Sequence, residues 1–152
     1  MTQEMNSKKK KIKVLLIEDD SYTAQLYRDV FSAETDYEFE VIDALSDLEK
    51  DLEKIKKIDP DIILLDLVLP LNPAGRDVEG TYILDKELGF QVLEKIKEDE
   101  VIKEIPVIVV SALSGPEDKD RAKALGAEKF LVKSEIIPFE LVKAVNEVLG
   151  RY

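Results

Sequence analysis

The stretch DPDIILLDLVLP, Asp59 to Pro70, decides the fold. Asp59-Pro60 is a break signal that ends whatever helix precedes it. Ile62 to Leu65 is an apolar run without alternation, the mark of a strand buried on both faces of a parallel sheet. Asp66 stands at its end, where such a strand leaves the core.

Working outward, the same grammar repeats. Upstream, Ile12 to Ile17 (IKVLLI) is a second apolar, β-branched run, followed at once by Glu18, Asp19 and Asp20. Ser21 to about Ala33 is predicted helical, with Leu26, Val30 and Phe31 on its inner face. Phe39 to Ala44 alternates and is predicted as a strand. Ser46 is placed to cap the next helix, with Glu49 at the capping-box position. That helix carries Leu48, Leu52 and Ile55 as its inner stripe. Downstream, Gly89 to about Glu98 is predicted helical on Val92, Leu93 and Ile96. Pro106 introduces Val107 to Val110, which ends at Ser111. Pro116 to Leu125 is a short polar helix closed by Gly126. Lys129 to Val132 is the last strand, with Lys133 after it. Pro138 opens a closing helix that runs to about Leu149.

Strand and helix therefore alternate about five times along the chain. The expected fold is α/β: a doubly wound, flavodoxin-like parallel sheet of five strands with helices on both faces. The expected layout is a flexible basic tail over 1–11, carrying Lys8 to Lys11, and one domain over 12–150.

Bulk composition narrows the chemistry. The 152 residues are 45% hydrophobic and 36% charged, which suits one folded domain. A net charge of −11 argues against nucleic acid or an anionic membrane as partner. Cysteine and histidine are both absent, which excludes disulfides, thiolate sites, imidazole ligands and a phosphohistidine on this chain. No run is long enough to span a bilayer and no signal peptide is visible, so a cytoplasmic location is expected.

The polar residues fall where a site would form. In a doubly wound sheet, ligands bind beyond the carboxyl ends of the strands. Glu18 and Asp19 follow the first strand, Asp66 the third, Ser111 the fourth and Lys133 the fifth. A polar residue at one strand end is usually just a solvated loop residue. All of these on one edge point to chemistry. Clustered carboxylates stay ionised together only with a cation. Hard oxygen ligands suit Mg²⁺, or Mn²⁺ in its place. A carboxylate beside such a cation can attack phosphorus, with Lys133 and Ser111 left to steady the phosphoryl oxygens. The cluster points to phosphoryl transfer onto an aspartate.

These pieces resemble the receiver domains of two-component response regulators, of CheY-like type. The matching strings are IEDD (Ile17 to Asp20), LLDLVLP (Leu64 to Pro70), VVSAL (Val109 to Leu113) and FLVKS (Phe130 to Ser134). Their order and strand context carry the resemblance, which spans Ile12 to Leu149. It implies that Asp66 is the phosphoacceptor and Asp19 the direct metal ligand, with Glu18 acting mainly through metal-bound water. It implies the Val68 backbone carbonyl as a further ligand, Ser111 as the switch hydroxyl, Lys133 as the phosphoryl-binding lysine and Phe130 as the switch aromatic. Asp20 lies beyond the acidic pair and is given no role. A sensor histidine kinase or phosphotransfer protein is the implied donor, in trans. Output would pass through an unidentified protein partner or a homodimer formed on the fourth helix, fifth strand and fifth helix. A stand-alone switch is expected rather than a turnover enzyme, with only self-phosphorylation and slow self-dephosphorylation.

Two departures from the family pattern stand out. Leu71 to Leu88 is longer than the family's connection at that point and is expected to be an inserted loop, rich in turn signals. A flap over Asp66 is the sharper version of that idea. Ser134 replaces the family's usual proline after the lysine. A cis bond to serine costs roughly 2.5–4 kcal/mol, which leaves a trans bond open. Competing readings are a receiver that works without phosphorylation, a haloacid-dehalogenase-type phosphatase, and a flavodoxin-like flavin binder. Val68 stands where the phosphatase needs a second aspartate. Glu18-Asp19-Asp20 would repel a flavin phosphate.

Overall fold

The computed structural model of the chain describes residues 10–43, 45, 47–70 and 84–151. Strand β1 (Ile12–Ile17) leads to helix α1 (Ser21–Ser32), then β2 (Tyr37–Ile42) and α2 (Leu48–Ile58). The central strand β3 (Ile62–Leu65) runs into two short strands, β4 (Leu69–Pro70) and β5 (Leu84–Asp85). After them come α3 (Lys86–Glu98), β6 (Val107–Ser111), α4 (Pro116–Ala124), β7 (Lys129–Val132), a single 3₁₀ turn (Lys133–Glu135) and α5 (Pro138–Val148).

The main sheet has five parallel strands in the order β2-β1-β3-β6-β7. This is the doubly wound, flavodoxin-like order expected from the alternation of elements. Its switch point lies between β1 and β3, where the chain reverses its direction of growth across the sheet. The unalternating apolar runs are explained by two cores. Leu15, Ile17, Ile63, Leu65, Val107 and Val109 face α2, α3 and α4. Val14, Leu16, Ile62, Leu64, Ile108 and Val110 face α1 and α5. Successive strand residues point to opposite faces, so a strand covered on both sides must be apolar throughout.

Several local expectations are corrected. Helix α2 begins from Asp47, whose carboxylate accepts from the Glu49 and Lys50 N–H groups at 3.0 and 3.4 Å. Aspartate is as good a cap as serine, and it stands one residue nearer the helix. Ser46 lies outside the described residues, as does Ala44, where β2 was expected to end. The inner face of α1 is Ala24, Tyr27 and Phe31, while Leu26 is 40% exposed. Of the expected stripe, Phe31 is inward and Val30 packs partly buried on the same core, while Tyr27 takes the inward place expected of Leu26. Helix α3 starts at Lys86 rather than Gly89, and β4 and β5 pair antiparallel just ahead of it. The expected inserted loop and flap fall on residues of which 71–83 lie outside the description. The expected basic tail lies almost wholly outside it as well. The bond between Lys133 and Ser134 is trans.

Candidate functional site

Register brings the acids together. Ile17 of β1 pairs with Leu65 of β3, so the residues that follow them, Glu18 and Asp66, leave the sheet side by side. The Asp66 N–H donates to the Ile17 carbonyl at 3.0 Å, which extends the ladder one step past the strand. The Glu18 N–H likewise donates to the Ile42 carbonyl at 3.1 Å, using β2 on the other side. Both carboxylates are thereby fixed at the backbone. On the far side of β3, Ser111 pairs with Val132, which places Lys133 just beyond the sheet edge.

The result is a compact polar cluster. Glu18 is 1% exposed and Asp66 5%. One carboxylate oxygen each from Glu18, Asp19 and Asp66 lies within 4.8 Å of the others. The Lys133 ammonium donates to Glu18 Oε1 at 2.6 Å and to Asp66 Oδ2 at 3.2 Å. Asp66 Oδ1 accepts from the Val68 N–H at 3.1 Å, which orients the second oxygen. Ser111 is fully buried and its Oγ accepts from the Leu113 N–H at 3.3 Å. Phe130 is half-buried on β7 and packs against the core that α2, α3 and α4 cover.

The charges are not balanced. Burial pushes the Glu18 carboxyl up to about 8, the Asp66 charge adds to that, and the Lys133 ammonium offsets only part. Burial alone would lower the Lys133 ammonium, but Asp66 and Glu18 outweigh it and hold it above its ordinary range. One cation against three clustered carboxylates is the situation that a divalent ion relieves. Oxygen donors only, with no sulfur or imidazole, fit Mg²⁺ or Mn²⁺.

Every residue singled out in the sequence lies at this edge or on the adjoining strand. One contributor was missed. Asp20 caps α1 by accepting from the Thr23 N–H at 3.0 Å, and its own N–H donates to Glu18 Oε2 at 3.3 Å. It thus ties the acidic pair to the helix that follows. An Asp at the boundary of a strand and a helix was the available signal.

No family model matches the chain. Among curated proteins it is similar to the polar-differentiation response regulator DivK of Brucella ovis, 28% identical over 137 residues, covering 90% of this chain and 95% of that one. Among solved structures it resembles the chemotaxis protein CheY4 of Vibrio cholerae, with TM-score 0.70, 25% identity and coverage of 91% and 98%. The Mn²⁺-bound response regulator Rcp1 is also similar, with TM-score 0.65, 25% identity and coverage of 90% and 92%. Sheet order, acid–lysine edge and relatives together define a doubly wound domain of the CheY-like class. Within that class its relatives are response regulators of two-component signalling, which the chain resembles over about nine-tenths of its length.

Proposed function

We propose that this domain accepts a phosphoryl group on Asp66 and changes shape in response. The observation that carries the reading is the setting of Asp66. It is a nearly buried carboxylate with one oxygen held by Lys133 and the other by the Val68 N–H. A nucleophile held in this way meets phosphorus in a defined direction. With no histidine in the sequence, the donor is a phosphohistidine in trans, on a sensor kinase or phosphotransfer protein. An Asp66 oxygen forms the new bond to phosphorus, the phosphorus–nitrogen bond of the donor breaks, and the imidazole leaves with its electron pair and takes up a proton. Lys133 exchanges its contact with the Asp66 carboxylate for one with the phosphoryl oxygens and keeps Glu18 as its second anchor.

Glu18, Asp19, Asp66 and the Val68 carbonyl would hold Mg²⁺, or Mn²⁺ as in Rcp1. Bound there, such a cation supplies charge neutralisation for the phosphoryl oxygens. Ser111 lies one strand over and turns from Leu113 to the phosphoryl group, and Phe130 follows the space it vacates. The switch is a population shift, and a swing from 1:99 to 99:1 needs roughly 5.5 kcal/mol of preference for the active state. The domain acts as a signalling switch in the cytoplasm and hands its state to a protein partner, or a second copy, through α4, β7 and α5. Among the described residues no helix is long and apolar enough to cross a membrane.

The test is intact mass after incubation with Mg²⁺ and acetyl phosphate. We expect one phosphoryl adduct that needs the cation and is lost in Asp66→Asn. No adduct, under conditions where another receiver labels, would favour an interaction module that works without phosphorylation.

A further inference from the structure

We propose that a polar clamp between the first turn of α3 and helix α4 holds α4 in its resting position and links it to the loop that carries Asp66. The regulatory meaning of the clamp rests on the phosphoacceptor reading above, but its existence does not.

Helix α4 has little of its own to hold it. It has nine residues, PEDKDRAKA, and only Ala122 is buried. Its N-cap, Gly115, offers no side-chain hydrogen bond. A helix this short and this polar is marginal unless tertiary contacts fix it. Besides its packing beside β7, its side-chain contacts come from α3. Arg121 makes a two-pronged pair with Glu87, Nη1 to Oε2 at 2.6 Å and Nη2 to Oε1 at 2.8 Å. The same guanidinium lies 4.0 Å from the centre of the Phe90 ring, which is itself buried. One turn earlier, Lys86 pairs with Asp118 at 3.1 Å. An isolated surface pair contributes little. A forked Arg–carboxylate pair stacked on an aromatic ring is stronger and geometrically specific. Arg121 also holds the Glu87 carboxyl below its usual range through that hydrogen bond.

The other end of the clamp is anchored beside the phosphoacceptor. Gly89, two residues after Glu87, packs flush on the loop after Asp66. A Cβ there would lie 2.1 Å from the Leu67 carbonyl oxygen. Helix α3 therefore cannot slide at this point without moving Leu67, the residue next to Asp66. The chain of contact runs from Leu67 to Gly89, along one turn to Glu87 and Phe90, and across to Arg121 on α4.

The experiment is amide hydrogen exchange on the unphosphorylated full chain. Glu87→Arg places like charges together. It should raise exchange in α4 by about tenfold, while exchange in β3 stays as in the wild type. The double variant Glu87→Arg with Arg121→Glu restores an attractive pair without the aromatic stack, and should recover most of the lost protection. Arg121→Lys keeps the charge but loses the fork, and should loosen α4 as well. Unchanged exchange in α4, or a loss spread equally over α4 and β3, would overturn the clamp. None of these readouts needs phosphoryl transfer. An Asp66 that fails to label would therefore sink the proposed function and leave the clamp standing. A normal adduct beside an unresponsive α4 would do the reverse.

Discussion

Glu18 carries the clearest consequence at the scale of single residues. Its carboxyl is pushed by burial from the ordinary 4.5 to about 8 in the folded, metal-free protein. The folded state then keeps a proton that the unfolded chain releases. The associated stability is complete below the unfolded pKa and is lost as pH rises through about 8. In chelator, the wild type should lose stability relative to Glu18→Gln as pH rises from 4.5 to about 8, as read by urea denaturation. Equal pH slopes for the two proteins would show that Glu18 is not held protonated. Lys133 is the second sensitive position, because it bridges Glu18 and Asp66. Lys133→Ala should slow labelling by acetyl phosphate well beyond any change in Mg²⁺ affinity, since the lost ammonium faces the phosphoryl oxygens rather than the cation. At this scale the sequence was highly legible. Strand-end position alone picked out Glu18, Asp19, Asp66, Ser111 and Lys133. It gave Asp20 no part, because Asp20 stands one place beyond the acidic pair and its work is to cap α1.

Among the elements, α3 is the most constrained. Gly89→Ala drives a methyl group into the Leu67 backbone, with no flexible side chain there to yield. A loss of about 3 kcal/mol or more is expected from the urea midpoint. A loss below about 1 kcal/mol would mean that α3 can shift, which would also weaken the link to α4. Helix α2 offers a milder test. Asp47→Ala removes the carboxylate that accepts from Glu49 and Lys50, and should cost about 1 kcal/mol. Element type was legible from period and punctuation, but phase and ends were not. Leu26 and Tyr27 compete for the inward place on α1, and only packing on β1 and α5 decides for Tyr27. The extra turn Lys86–Leu88 falls within the stretch expected to be an inserted loop, on the length of the connection rather than on its own strongly helix-forming residues. Ion pairs to α4 and the β4–β5 pairing favour the helix there.

On the scale of the whole molecule, the site is a feature of topology. Two strands far apart in sequence end side by side because β1 and β3 are neighbours at the switch point. The crowding of carboxylates that follows is a cost the apo fold carries and a divalent cation removes. Mg²⁺ at about a hundred times its dissociation constant should therefore raise stability by about 2.7 kcal/mol. The gain should shrink sharply in Asp19→Asn, as a thermal melt would show. A melt that ignores Mg²⁺ would remove the cation from the proposed chemistry.

The amino-acid sequence by itself determined the doubly wound fold, because runs apolar on both faces admit only a sheet covered on both sides. It also determined which residues stand at the strand ends, since position along a strand is a one-dimensional fact. Three things were decided only in three dimensions. The first is the register of β1 on β3, which sets Glu18 beside Asp66 under one ammonium. The second is the burial that lifts the Glu18 carboxyl. The third is the contact between Glu87 and Arg121, 34 residues apart, which holds a helix that has almost no apolar face. Each depends on distances between segments remote along the chain, and such distances exist only once the chain has packed.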